Sequence, residues 1–173
     1  MSDSTLRQRT RTIAWDDPLV GARAAATMPG LDYLRAMGRG ELPFPPIMAL
    51  MDMGVVVAEE GRVVFSVEPA EYHYNPIGTV HGGVACTLCD SAMGCAIHTT
   101  LPAGTGYTTL ELKVNFLRPI TATTGRLLCE GKVIHVGGRT AIAEARMTDE
   151  AGKLYAHATT TCLILRPASE QPR

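Results

Sequence analysis

The sequence has little excess charge of either sign. Its 173 residues carry 16 Lys and Arg against 17 Asp and Glu, a formal net charge of -1. That balance argues against a nucleic-acid binder. The short basic string RQRTR, residues 7–11, reads as a solvated tail. Uninterrupted apolar runs fall far short of the roughly 20 residues that a membrane-spanning helix needs. The N-terminus has basic residues but no apolar run before a cleavage site, so no signal peptide is expected. No G-x-S-x-G elbow is present, which removes the α/β-hydrolase route to an esterase. The phosphate-loop and dinucleotide fingerprints are missing as well. No repeat of 20–50 residues points to a solenoid.

Cysteine is sparse too, with five residues: Cys86, Cys89, Cys95, Cys129 and Cys162. CTLC, residues 86–89, is a C-x-x-C. It lies inside an apolar helical run and not at a first helical turn after a strand, where a redox pair belongs. A zinc site would need two more ligands, and no second C-x-x-C exists. The thiols read as reduced core residues of a cytoplasmic protein.

What is present fits one domain with an extension. Residues 1–46 read as an appendage with short helices. Asp17 before Pro18 is an N-cap followed by a first-turn proline. A second short helix is expected over Gly30 to Met37, ended by Gly38, Gly40, Pro43, Pro45 and Pro46. Residues 47–166 form the main body, and 167–173 a polar tail. MALMDMGVVVAEEGRVVFSVEP reads as two strands around a turn at Glu59 to Gly61. A loop over 70–80 then leads into a long apolar helix from about Gly82 to Thr99. Four strands follow. In YTTLELKVNFL the alternation places Leu110, Leu112, Val114 and Phe116 on one face, with Thr109, Glu111, Lys113 and Asn115 on the other. GRLLCEGKVIHV, RTAIAEARMTD and LYAHATTTCLIL complete the set. Hairpin-connected strands favour an antiparallel sheet, and one long helix must cover its apolar face. The expected class is α+β: an antiparallel sheet wrapped around one central helix, the hotdog arrangement.

The apolar helix poses the chemical question, because it carries one carboxylate, Asp90. A lone buried carboxylate costs several kcal/mol or protonates. Asp90 therefore requires a partner, a wet cleft or a subunit boundary. Gly94 and Ser91 leave room on its side for a ligand or a second helix. The plain alternative is a buried Asp bonded to backbone or threonine. At the helix start, Gly82 and Gly83 follow His81. Free N–H groups there can polarise a carbonyl. The plain alternative is a glycine pair needed for tight packing. His81 and Asp90 are nine residues apart, roughly 13 Å along a helix. One small reacting group cannot reach both within one chain. If both serve one reaction, two chains must share each site.

NPIGTVHGGVACTLCDSAMG, residues 75–94, followed by YTTLELKVNFLRP, resembles the hotdog-fold acyl-CoA thioesterases of the phenylacetate-pathway (PaaI-type) group. The resemblance covers about residues 47–166. It implies hydrolysis of an acyl-CoA by a homodimer, assembled further as a dimer of dimers, with no metal and no cofactor beyond the coenzyme A of the substrate. It implies that Asp90 is general base or nucleophile, and that the Gly82 N–H polarises the thioester carbonyl. Asn75 and His81 would orient the thioester and its loop. Thr109 would position water near the carboxylate across the dimer. Gly83, Gly138, Arg139 and Arg118 would serve coenzyme A itself. Residues 1–46 lie outside the shared core. Acyl-pocket depth is expected to depend on Met51, Met53, Met93 and the N-terminal segment. Two alternatives stand beside this reading: a hotdog enoyl-thioester hydratase or dehydratase, and a non-catalytic acyl-CoA-binding protein.

Overall fold

The computed structural model describes residues 8–166. Arg7 and the tail expected over 167–173 lie outside the described residues. Three short helices come first: α1 (Pro18–Thr27), α2 (Gly30–Gly38) and α3 (Pro46–Met51). The Asp17 carboxylate caps α1 by accepting from the Leu19 N–H at 2.9 Å, with Pro18 in the first turn. α3 corrects the sequence reading, which took MALM as strand. Pro46 supplies a preformed first-turn φ, and the helix stops at Asp52 in the left-handed region, φ 50°. Both Asp52 oxygens are engaged, one by Arg11 and one by the Tyr72 hydroxyl. Arg11 also donates to the carbonyls of Ala49 and Leu50 at the end of α3.

The sheet has six antiparallel strands: β1 (Met53–Glu59), β2 (Arg62–Val67), β3 (Gly106–Phe116), β4 (Leu127–Val136), β5 (Thr140–Asp149) and β6 (Leu154–Leu165). Their spatial order is β1-β2-β4-β5-β6-β3, so β1 and β3 are the edges. The long helix α4 (Gly82–His98) lies across the sheet against β2, β3, β4 and β5. Val84, Ala85, Leu88, Cys89, Ala92, Met93, Ala96 and Ile97 of α4 are all buried. They meet Val63, Phe65, Leu127, Cys129, Ala143, Ala145, Met147 and Ala158 of the strands in one core. This is the hotdog fold. No helix among the described residues is long and apolar enough to cross a membrane.

Two features set where α4 lies. Gly131 of β4 passes so close that an added Cβ would sit 2.2 Å from the Ala92 carbonyl oxygen. At its far end, α4 meets α2 at Gly30, whose N–H donates to the Leu101 carbonyl at 3.1 Å. Cys89 and Cys129 face each other across the helix–sheet contact, sulfur to sulfur 3.7 Å, and all five cysteines are free. Cys86 is half-buried on the open side of α4 while Cys89 is buried, so the C-x-x-C does not act as a facing pair.

The alternation expected for β3 fails at one point. Thr109 pairs with Cys162 and Glu111 with Thr161, so Leu110 is an extra residue in a bulge. A bulge resets which side chains face inward. Leu110 turns outward, 57% exposed, while Leu112 and Val114 pack on the core. Thr109 thereby shares the helix-facing side with Leu112, contrary to the strict two-residue period.

Two stability outcomes follow from this packing. Gly131→Ala forces β4 off the α4 backbone and is expected to cost about 1–3 kcal/mol. Thermal melting checks it, at about 2–4 °C per kcal/mol for a chain of this size. The second concerns His98, buried at the end of α4 between the rings of Tyr33 and Tyr107, both neutral in acid. Burial holds its imidazole below the ordinary histidine range. The fold prefers the neutral ring, so this stability is complete above about pH 6.5 and lost as pH falls below it. The melting temperature is expected to drop from pH 7.5 to pH 5.5, and to drop less in His98→Gln; equal drops would contradict this role.

Candidate active site

The segment before α4 is a closed loop built by one side chain. The Asn75 carboxamide oxygen accepts from the N–H groups of Ile77 and Thr79 at 3.0 and 3.2 Å. Its Nδ2 donates to the Thr79 hydroxyl at 3.0 Å. Its backbone N–H donates to the Thr79 carbonyl at 2.8 Å. Gly78 turns the loop at φ +80°, a conformation that favours glycine. The described contacts of Asn75 are all within this loop, so its side chain shapes the approach to α4. Thr79 is the partner that sequence reasoning passed over. The N-x-x-x-T spacing in NPIGT was the available signal.

His81 follows and ties the loop to the helix. Its backbone N–H donates to the His73 carbonyl at 2.8 Å. Its Nδ1 accepts from the Gly83 N–H at 2.8 Å and so caps α4. In neutral His81 the remaining proton is then on Nε2. The Val84 N–H goes to the His81 carbonyl at 2.9 Å. Among the described residues the Gly82 N–H has no such partner, whereas that of Gly83 is occupied. The two glycines therefore differ: Gly82 offers the free donor of the helix tip.

That tip opens into a cleft of about 370 Å³. His81 and Gly82 form one wall, Phe116, Leu117 and Arg118 the other, and Ala85 and Ile120 lie deeper. The Phe116 ring packs on Gly82, where an added Cβ would lie 3.1 Å from it. Arg118 donates to the Leu154 carbonyl while lining the cleft. None of Met51, Met53 and Met93 lines it. Met53 and Met93 are core residues instead.

Asp90 is not sealed in the core. It belongs to a half-buried stripe of α4 formed by Gly83, Cys86, Thr87, Asp90 and Ser91. The Thr109 hydroxyl donates to Asp90 Oδ1 at 2.8 Å. This bond is within one chain. The plain alternative of a threonine-bonded Asp thus holds in part, but the carboxylate stays half-exposed. The room expected beside Gly94 is not empty either. Tyr107 fills it, at 2.7 Å from where a Cβ would stand.

Within one chain the expected residues fall into two groups. Gly82, His81, Asn75 and Arg118 cluster at the helix tip. Asp90 lies eight residues further along α4 than Gly82, roughly 12 Å away, with Thr109 of β3 bonded to it. Gly138 and Arg139 are exposed at the end of the sheet where Thr140 pairs with Leu163. Phe116, at the tip, pairs with Ala156. Seven residues of β6 separate these two pairings, roughly 24 Å. Arg118 and Arg139 therefore lie at opposite ends of one protomer.

The thioesterase superfamily model matches residues 77–156, which take in the end of the loop after Asn75, α4, and the strands and connections that carry Thr109, Arg118, Gly138 and Arg139. A Saccharolobus solfataricus protein that carries an esterase designation is 34% identical over 120 residues, 69% of this chain and 84% of that one. The 1,4-dihydroxy-2-naphthoyl-CoA hydrolase of Listeria monocytogenes is 28% identical over 110 residues, 64% of this chain and 88% of that one. The crystal structure of a phenylacetic acid degradation-related protein from Ralstonia eutropha superposes with a TM-score of 0.69 and 28% identity, over 76% of this chain and 98% of that one. The chain belongs to the thioesterase superfamily, in its hotdog-fold, PaaI-like group, and is a thioester hydrolase.

Proposed function

We propose that the protein hydrolyses the thioester of an acyl-CoA to the free acid and coenzyme A, at two identical sites of a two-fold dimer. One observation carries this reading: a half-exposed carboxylate on a core helix, held at 2.8 Å by Thr109, with an unoccupied helix-tip N–H on the same helix. The relative from Listeria that hydrolyses an aryl-CoA supports the substrate class. Residues 47–166 form the catalytic domain in this reading and 1–46 its extension. Free thiols throughout suit a reducing, cytoplasmic setting.

The open edge strand supports the dimer. Among the described residues β3 pairs only with β6 and leaves its other edge open over 11 residues. Leu110, Phe116 and Leu117 beside it are 57%, 57% and 49% exposed. A long open edge of this kind is a template for a further strand. Antiparallel pairing of two β3 strands about a two-fold axis sets the Gly106 end of one against the Phe116 end of the other. Asp90 and Thr109 belong to the first end and the helix tip to the second. Each site then takes its carboxylate from one chain and its N–H from the other. The same operation brings Arg139 toward the partner's Arg118 cleft, giving coenzyme A phosphates a cation on either side. Assembly of such dimers in pairs completes the proposed tetramer.

In the reaction the Gly82 N–H of one chain donates to the thioester oxygen as it becomes an oxyanion. Asp90 of the other either takes a proton from attacking water or attacks the carbonyl carbon itself. In the second route water then opens the resulting anhydride. Either way the C–S bond breaks, the thiolate leaves as coenzyme A and is protonated, and the acid is released. Thr109 fixes the carboxylate; Asn75 and His81 fix the tip. A hotdog hydratase needs carboxylate and histidine together on one loop–helix unit. Here His81 Nδ1 is already bonded to Gly83, and Asp90 is about two turns away in the same chain.

A panel of acyl-CoAs with thiol detection tests this. Asp90→Asn is expected to lower kcat by about 10²–10⁴-fold with a smaller change in KM. Near-wild-type turnover in that variant, hydration of an enoyl-CoA without thiol release, or binding without turnover would each overturn the reading. Site sharing has its own measurement. Gly82→Pro removes the N–H at a first-turn position, where proline's φ is preformed, and displaces the exposed Phe116 ring slightly. Mixed one-to-one with Asp90→Asn, it is expected to restore about a quarter of wild-type activity through hybrid dimers; two inactive partners that stay inactive on mixing would refute the shared site.

A further inference from the structure

Beyond Asp90 the open stripe of α4 narrows: Ser91 and Cys95 stay half-buried, but Gly94 between them is buried. One turn on, at Gly94, an added Cβ would lie 2.7 Å from Cε2 and 2.8 Å from the hydroxyl of Tyr107. The tyrosine ring therefore rests on bare helix backbone. Tyr107 and Thr109 are successive inward residues of β3, paired with Ile164 and Cys162. Thr109 is small and leaves Asp90 half-exposed. Tyr107 is large and fills the next turn.

The ring is also propped. The His98 ring stands 5.6 Å from that of Tyr107, centroid to centroid, and Tyr33 of α2 stands 5.6 Å from the same His98. α2 has no slack against this point: an added Cβ at Gly30 would sit 1.8 Å from the His98 carbonyl oxygen. A continuous line of contact thus runs from the N-terminal extension to the residue beside the carboxylate.

In the two-fold arrangement the stripe has two directions. Toward Cys86 it approaches the axis, midway between Gly82 and Asp90, where the partner's helix lies. Toward Gly94 it leads away from the axis. An acyl group whose carbonyl is held at Asp90 and that runs away from the axis meets Tyr107 within one turn, roughly 6 Å. We infer that Tyr107, propped by His98 and by Tyr33 of the extension, is the end wall of the acyl pocket and restricts the enzyme to short or compact acyl groups. The inference rests on the acyl-CoA reading above and deepens it.

The test compares kcat/KM for decanoyl-CoA with that for butanoyl-CoA. Tyr107→Ala is expected to raise this ratio about tenfold, the gain from burying about two more methylenes. Tyr107→Phe keeps the ring and is expected to keep the wild-type ratio. Tyr33→Ala loosens the prop and is expected to raise the ratio less. Should Tyr107→Ala fail to fold, Tyr107→Leu takes its place. A folded Ala or Leu variant with the wild-type ratio overturns the wall. Calorimetric binding of S-butyl- and S-decyl-CoA thioethers gives the same comparison without turnover. Hence a wild type that cleaves no acyl-CoA refutes the hydrolase reading alone, while an unchanged affinity ratio in Tyr107→Ala refutes the wall alone.

Discussion

The hydrogen bond from Thr109 to Asp90 organises the rest of the structure's chemistry. A carboxylate on a core helix is tolerated only with a partner and access to water. Thr109 supplies the partner at 2.8 Å and is too small to take the access away. It reaches Asp90 because of a single extra residue. Without the bulge at Leu110, a strand that buries Leu112 and Val114 would turn Thr109 outward. Bulges often re-aim a side chain beside a reactive group, and this one aligns a hydroxyl with the only acid of the helix.

The second constraint is the length of α4. A helix is rigid along its axis, so Gly82 and Asp90 cannot approach each other in one chain. The fold nevertheless prepares both ends. At the tip, His81 satisfies Gly83 and leaves Gly82 free, while Asn75 holds the preceding loop through three side-chain hydrogen bonds. At the middle, Gly131 and Gly94 let β4 and Tyr107 touch the helix directly, which fixes its height above the sheet. Two half-sites of complementary chemistry on one rigid element are what a two-fold axis can combine. In the proposed dimer that axis runs along the open β3 edge.

Much of this was legible in the sequence for physical reasons. The apolar string 82–98 was too uniform to be anything but a core helix, and four alternating runs after it could only form an antiparallel sheet over it. The lone Asp90 and the glycine pair stood out because both are costly in a helix unless used. Three things were not legible. α3 was lost because six apolar residues satisfy strand and helix patterns alike, and only the αL stop at Asp52 distinguishes them. The bulge was invisible because nothing in TTLEL marks Leu110 as extra. Tyr107 was passed over because its meaning lies in Gly94, thirteen residues earlier, and a missing side chain reads as open space until its neighbour is seen to fill it.

That last point bears on why the N-terminal extension is attached to this fold. α2 buries Gly30, Leu34, Ala36 and Met37, and Leu34 and Met37 join the main core. One stiff link of α2 to the domain is the close packing of the Gly30 backbone on the His98 carbonyl, next to the aromatic stack that ends on Tyr107. A helix docked only for stability gains most from burying apolar side chains broadly. One docked to hold a particular ring gains most from close, stiff contact at a single point. The glycine at the start of α2 and the tyrosine one turn later provide that contact. The extension is thus joined to the domain at the place where a small displacement would be felt beside Asp90.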